Sequence, residues 1–247
     1  MNATHSHPHQ ARNLFIWGLG LLATTAVVLA LPSASDAGLQ CFGKAPTIIG
    51  TNSGDQLVGT SGRDVIIARG GNDSVRPRQG TDYVCAGSGD DTVHAAEGAG
   101  YMDGGPGDDW LDGRRSEEGN RSIGGRGDDL IQADGKIDGG PGNDEIENFG
   151  YYTVSGISPD FTDGGGGRDK ISGGSNSEEL RGGPKNDKIW AGNGNDKVLG
   201  NSGNDKLRGE GGNDTLNGED GNDDINGGSG TDTCNQGPGT GTLSNCP

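Results

Sequence analysis

The chain has 247 residues, of which 52 are glycine, 28% are hydrophobic and 4% aromatic, and its formal net charge is -17 at pH 7. So little apolar matter excludes a core of ordinary depth, and so much glycine is costly to order, which leaves disorder or a repeat whose folding is helped from outside. A body with that many carboxylates repels itself unless cations neutralise it, and nucleic acid is excluded as a partner because its phosphates would meet more negative charge.

At the N-terminus, Arg12 precedes an apolar run from Leu14 to Leu31, followed by Pro32-Ser33-Ala34-Ser35-Asp36-Ala37. A basic start, an apolar segment and small residues describe a secretory signal peptide over residues 1–37, cut after Ala37, and hence a secreted, extracellular product. An uncleaved membrane anchor is the alternative. Gly38-Leu39-Gln40 lacks the small residues expected before a lipidated cysteine, so Cys41 does not read as a lipid anchor. His5, His7 and His9 could form a metal tract, but they lie in the part expected to be removed. No later stretch is apolar enough to cross a membrane, so no span is expected after signal removal. Residues 38–47 then read as an N-terminal cap.

From Ile48 onward the chain beats in nines. Asp55, Asp64, Asp73, Asp82, Asp91, Gly100 and Asp109 form one run; Asp160, Asp169, Glu178, Asp187, Asp196, Asp205, Asp214, Asp223 and Asp232 form another. Between them Asp129 and Asp144 keep the local pattern while the spacing slips. Two residues after each marker stands an aliphatic residue, from Leu57 and Ile66 through Ile131 and Ile146 to Leu216 and Ile225, with Met102 once in its place; only Thr162 is not apolar. A period this short means stacked repeats. Interruptions at 114–118 and 148–154 read as loops bulging from a continuous body. The expected organisation is a first array over 48–147, an insertion loop over 148–159, a second array over 160–233 and a capping tail over 234–247.

Strand geometry gives the beat its meaning. A three-residue strand points its middle residue inward and its neighbours outward. The other six residues must turn the chain, and glycine permits the positive φ that tight turns need. Two strands and two turns make a coil of eighteen residues, and stacked coils pair their strands in parallel at about 4.8 Å. The turns stack too, so carboxylates eighteen residues apart share an edge. Asp169, Asp187, Asp205 and Asp223 fall in one column; Glu178, Asp196, Asp214 and Asp232 fall in the other. Such columns need a hard divalent cation, and calcium suits them because it accepts six to eight carboxylate and carbonyl oxygens in flexible geometry. Magnesium demands a tighter shell, and the turns hold no thiolates or imidazoles for zinc or copper.

Gly164-Gly165-Gly166-Gly167-Arg168-Asp169-Lys170-Ile171 and Gly227-Gly228-Ser229-Gly230-Thr231-Asp232 follow the pattern Gly-Gly-x-Gly-x-Asp-x-aliphatic-x. This resembles the RTX, or hemolysin-type, calcium-binding repeats. The resemblance implies an all-β fold, a parallel β-roll with calcium ions between turns one coil apart, held by marker side chains and turn carbonyls. The markers it offers as ligands are Asp64, Asp73, Asp82, Asp91, Asp109, Asp129, Asp144, Asp169, Asp187, Asp196, Asp205, Asp214, Asp223 and Asp232. Three departures weaken particular sites: Glu178 replaces Asp, Gly100 has no carboxylate, and Ala68-Arg69 replace the paired glycines before Asp73. The unbroken run from Asp160 to Asp232 is expected to dominate calcium uptake.

Other signals are weaker. The chain has no H-E-x-x-H and no G-x-S-x-G, and His94 is the one histidine after residue 37, so no enzyme is expected. His94 reads as a solvated outward residue. Arg126-Gly127-Asp128 is an adhesion tripeptide that Gly-Asp-rich sequence generates by accident. Lys170, Lys188 and Lys206 stand one coil apart and read as solubilising. Tyr83 and Tyr101, also one coil apart, could offer a platform to a sugar ring, with local packing the preferred reading. A cell-surface or polysaccharide ligand is thus the alternative partner beside calcium. The four cysteines suit an oxidising compartment. Three pairings are open to them; a staple on each end of the roll favours Cys41–Cys85 and Cys234–Cys246.

Overall fold

The computed structural model describes residues 38–95, 99–114, 120–150 and 160–246. The signal segment, the histidine tract within it and most of the two expected loops lie outside these residues. Within them the chain winds as a parallel β-solenoid of two eleven-stranded sheets, with successive strands alternating between the sheets. One sheet, here sheet I, begins at Ile48–Ile49 and ends at Thr233–Asn235; the other, sheet II, begins at Gln56–Val58 and ends at Thr242–Ser244. No described helix is long and apolar enough to cross a membrane.

The middle residue of each strand points inward, and the aliphatic beat becomes the core. Ile66, Val84, Leu180, Val198 and Leu216 from sheet I face Leu57, Val75, Leu111, Ile131, Ile189 and Ile225 from sheet II, all fully buried or nearly so. The register is aliphatic on aliphatic: Ile171 lies beside Ile189, Leu207 beside Ile225, Val198 beside Leu216. Thr162 also points inward and is fully buried, and its Oγ1 accepts a hydrogen bond from Asn148 Nδ2 at 3.1 Å. That contact satisfies the one polar residue of the nine-residue beat. Asn148 itself lies in the strand Glu145–Asn148, so the strand runs one residue into the segment expected as an insertion.

The slipped spacing proves to be a change of coil length. Trp110 pairs with Leu130, Leu130 with Glu145, and Glu145 with Lys170. Three successive coils therefore run 20, 15 and 25 residues where the others run 18. All three changes fall in the turns from sheet II to sheet I, so the opposite turns stay in step. The sheet I partners of these coils, Ser122 and Ile137, escape a count in nines because no regular turn precedes them.

Both ends are stapled as expected, by Cys41–Cys85 and Cys234–Cys246. The first staple draws the N-terminal segment along the outer face of sheet I, where Leu39, Cys41 and Phe42 pack on Val65, Ile67 and Tyr83. Tyr83 and Tyr101 stack with centroids 4.8 Å apart, but Phe42 lies against both rings and Lys44 stands over Tyr83. The pair is local packing, and its faces are taken. At the other end Cys234 occupies the aliphatic position beside Leu216, and Cys246 packs on the core.

Candidate metal centre

The turns stack along two edges. Edge one carries the chain from sheet I into sheet II, and its markers are Asp55, Asp73, Asp91, Asp109, Asp129, Asp144, Asp169, Asp187, Asp205 and Asp223. Each backbone N–H in this series donates to Oδ1 of the marker one coil on, at 2.7 to 2.9 Å, in an unbroken ladder from Asp55 to Asp223. Edge two carries the chain back. There Asp64 donates to Asp82, and the ladder resumes only from Glu178 through Asp196 and Asp214 to Asp232. In between, the register places Gly100, Asn120, Gly135 and Asp160 at the marker position.

All fourteen expected ligand residues are buried, none more than 4% exposed. With Oδ1 held by the ladder, Oδ2 remains. In thirteen of them it is buried without a hydrogen-bond partner, and Glu178 Oε2 is the same. Asp64 departs from the rest: its Oδ2 accepts from Thr60 N at 2.6 Å and Thr60 Oγ1 at 3.0 Å. Asp55 is engaged in the same way by Thr51. A row of buried oxygens with nothing to bond is expensive unless something supplies positive charge.

Those oxygens share their direction with main-chain carbonyls. At Gly182, the point a β-carbon would occupy lies 2.5 Å from Asp187 Oδ2 and 2.9 Å from the carbonyl oxygen of Gly200, one coil on. At Gly164 the same point is 2.7 Å from both Asp169 Oδ2 and the Gly182 carbonyl, and at Gly139 it is 2.5 Å from both Asp144 Oδ2 and the Gly164 carbonyl. Carboxylate and carbonyl oxygens thus converge beside the first glycine of the turn, a donor set that fits a hard cation. Among the described residues no three Asp, Glu, His or Cys side chains gather at one point, so carbonyls would have to complete any shell.

Burial also sets the electrostatics. Asp73, Asp82, Asp91 and Asp169 are pushed up to about 6 by desolvation, against the hydrogen bond that each receives from a backbone N–H. Asp109, Asp144, Asp187 and Asp205 reach about 7 and Asp129 about 8, where neighbouring carboxylates add to desolvation. Glu178 is raised by its burial and by Asp196. Protons and metal ions relieve the same strain, so each competes with the other.

The residue before the marker builds a second ladder that the sequence reading missed. Asn186 Oδ1 accepts from Asn204 N, Asn204 Oδ1 from Asn222 N, and Asn222 Oδ1 from Thr240 N, at 2.8 to 2.9 Å. This ladder runs opposite to the aspartate one, and it accounts for the recurring Asn-Asp pair. Asp90, Asp108 and Asp128 continue it upstream. Asp128 of the Arg126-Gly127-Asp128 tripeptide is therefore engaged, accepting from both the backbone and side-chain nitrogens of Asn143.

A parallel solenoid with glycine-aspartate turns and oxygen-lined edges defines the class of calcium-binding repeat proteins. The model of the RTX calcium-binding nonapeptide repeat matches residues 49–84, 86–115, 172–207 and 199–234, just over half of the chain. The chain belongs to this family, whose repeats bind calcium and form a β-roll that is a structural fold. The matches leave out 116–171, which holds Asn120 and Gly135, two of the three edge-two marker positions without a carboxylate. No curated protein matches the chain.

Proposed function

We propose that this is an exported protein whose role is to bind several calcium ions along both edges of the roll, and whose folding depends on them. The observation that supports this most is the series of buried Oδ2 atoms without partners, with a turn carbonyl converging beside those of Asp109, Asp129, Asp144, Asp169, Asp187, Asp205, Asp214 and Asp232. Asp73, Asp91, Asp109, Asp129, Asp144, Asp169, Asp187, Asp205 and Asp223 would hold ions on edge one; Asp82, Asp196, Asp214 and Asp232 would hold them on edge two. Asp64 is the weakest of the fourteen because Thr60 already occupies its second oxygen. Calcium would supply the positive charge that lets these carboxylates stay ionised and buried, turning binding energy into folding energy. The protein's own residues supply one carboxylate oxygen per marker, the turn carbonyls and the backbone ladder that fixes both.

The sequence divides accordingly: a signal at 1–37, a cap at 38–47, arrays at 48–147 and 160–233 separated by an insertion at 148–159, and a closing tail at 234–247. No catalytic role is proposed. A second reading, a calcium-stabilised surface or matrix adhesion module, draws on Trp110, exposed on the flat face of sheet II. Calcium titration followed by circular dichroism tests the first reading; β-content that ignores calcium would remove it.

A further inference from the structure

Among the described residues only two large hydrophobic side chains are exposed, Trp110 at 37% and Leu243 at 49%. Leu243 is the aliphatic residue of the last coil, where the core ends. Trp110 has no such explanation, because it stands on the outer face of a strand paired on both sides, with Thr92 and Leu130 as cross-strand neighbours.

Beyond those two neighbours lies a row of polar side chains that are already held. Two positions along the same strand, Asp112 takes a two-pronged contact from Arg114, at 2.8 and 2.9 Å, and lies 3.6 Å from His94 Nδ1. Contrary to the sequence reading, His94 is no idle solvated residue, since it also meets the Trp110 ring edge-on at 4.8 Å. Gln132, beside Asp112 on the next strand, donates to Glu147 at 2.7 Å. A flat aromatic ring thus lies beside a row of ordered donors and acceptors, spaced by the sheet at about 4.8 Å.

We propose that this face is a glycan-binding site at which one uncharged pyranose ring stacks on Trp110 while its hydroxyls exchange hydrogen bonds with Gln132 and with Arg114, which the buried Asp112 holds in place. The inference rests on the adhesion reading and gives it a place and a ligand class. A sugar ring suits the site because its C–H bonds carry partial positive charge toward the negative face of the indole, while its hydroxyls need planar polar partners. Side chains held before binding lose little entropy when they engage. A protein partner fits less well: a stable interface needs a contiguous apolar centre, and here the apolar surface is confined to Trp110 and its half-buried neighbour Leu130. The charge of -17 selects against acidic polymers.

The test uses the full-length secreted chain in millimolar calcium, sedimented with insoluble β-1,4-glucan, chitin and mannan, and titrated with polygalacturonate as an acidic control. Binding to at least one neutral polymer is expected. Trp110→Ala should weaken that binding by about ten-fold or more, and Trp110→Phe by less, because a smaller ring still stacks. Trp190→Ala should leave it unchanged, and all variants should keep the calcium-dependent circular dichroism of the parent. Failure to bind any neutral polymer, preference for polygalacturonate, or full binding by Trp110→Ala would each overturn the site. A calcium-dependent fold that persists beside such a failure leaves the calcium reading standing, so the two can fail separately.

Discussion

The two edges of the roll are built from the same nonapeptide, yet they differ in continuity. Edge one keeps an aspartate at every coil from Asp55 to Asp223, even where coils shorten to 15 residues or lengthen to 25. Edge two loses its carboxylates at Gly100, Asn120 and Gly135 and absorbs all the changes of length. A side chain that must meet its counterpart in the next coil cannot tolerate a shift, whereas a turn free of that duty can grow or shrink. The comparison teaches that the stacked carboxylate ladder, more than the glycines, keeps the roll in register. Edge one is the continuous spine; edge two is a spine at its ends and a site of insertion in its middle.

The most drastic way to break the comparison is to withdraw calcium altogether, which would empty the sites proposed on both edges at once. In chelator the chain should lose most of its β-signal by circular dichroism and regain it in millimolar calcium, because the thin core and the high charge leave little else to hold the coils. Equal β-content in both conditions would show that neither edge needs a cation.

Protons should partly replace the ions. Burial raises Asp73, Asp91 and Asp169 on edge one from an ordinary 3.8 to about 6, Asp109, Asp144, Asp187 and Asp205 to about 7, and Asp129 to about 8. The folded chain then binds protons more tightly than the unfolded chain. The resulting stability is fully present below about pH 4 and is lost as pH rises through the folded values. A calcium-free sample should therefore show more β-structure at about pH 4 than at about pH 8.5, with the gain falling away across that window. In the presence of calcium the sign reverses, and the calcium midpoint should move to higher concentration on acidification. A calcium-free chain that is equally unfolded at both ends of the window would refute the proton account.

Single substitutions sharpen the contrast between the edges. Asp205 lies between Asp187 and Asp223 on the continuous edge, while Asp82 is the last rung before the gap on the other. Asp205→Ala removes the acceptor of the Asp187 N–H and an oxygen facing a turn carbonyl; a buried donor left unpaired costs about 1–3 kcal/mol. The calcium midpoint of folding should rise by about ten-fold for Asp205→Ala and about three-fold for Asp82→Ala. Asp55→Ala should shift it less than either, since Thr51 already engages that carboxylate. Calorimetry that ranks Asp82 or Asp55 above Asp205 would contradict the distinction.

Much of this was legible in the sequence because it repeats. The aliphatic beat located the core, the marker columns located the edges, and the aspartates of the run from Asp160 to Asp232 were assigned to their proper sides. Counting in nines failed between Asp109 and Asp160, where the phase is lost and the edge of Asp129 and Asp144 cannot be read. A different signal was present there: Gly104-Gly105, Gly124-Gly125, Gly139-Gly140 and Gly164-Gly165 each open a turn that closes on an aspartate five residues after its first glycine, whatever the distance between turns. Following turns instead of intervals places all of them on edge one. The missing partners Ser122 and Ile137 had no such mark, because the turns before them lack paired glycines and put Asn120 and Gly135 where the marker carboxylate would stand. The Asn-Asp ladder was visible as a recurrence, but its hydrogen bonds pass between coils and have no signature within one.

The smallest expected effect concerns a flaw in the continuous edge itself. In most of its turns the second and fourth residues adopt positive φ; Gly203 and Gly221 hold the fourth place before Asp205 and Asp223, but before Asp187 that place is held by Lys185 at φ 94°. A side chain in that region costs on the order of 1 kcal/mol unless something over-determines it. Lys185 is exposed, and its backbone N–H already donates to the Ser202 carbonyl in the next coil, so the conformation is imposed by the stack. Lys185→Gly should relieve the strain at the cost of a more flexible unfolded chain, for a net gain of about 0.5 kcal/mol, seen as a slightly lower calcium midpoint. Because edge one has no interruption, that gain should pass to the sites of Asp169 and Asp205 on either side. A higher midpoint in Lys185→Gly would mean that the lysine side chain contributes more to the edge than its backbone strain takes away.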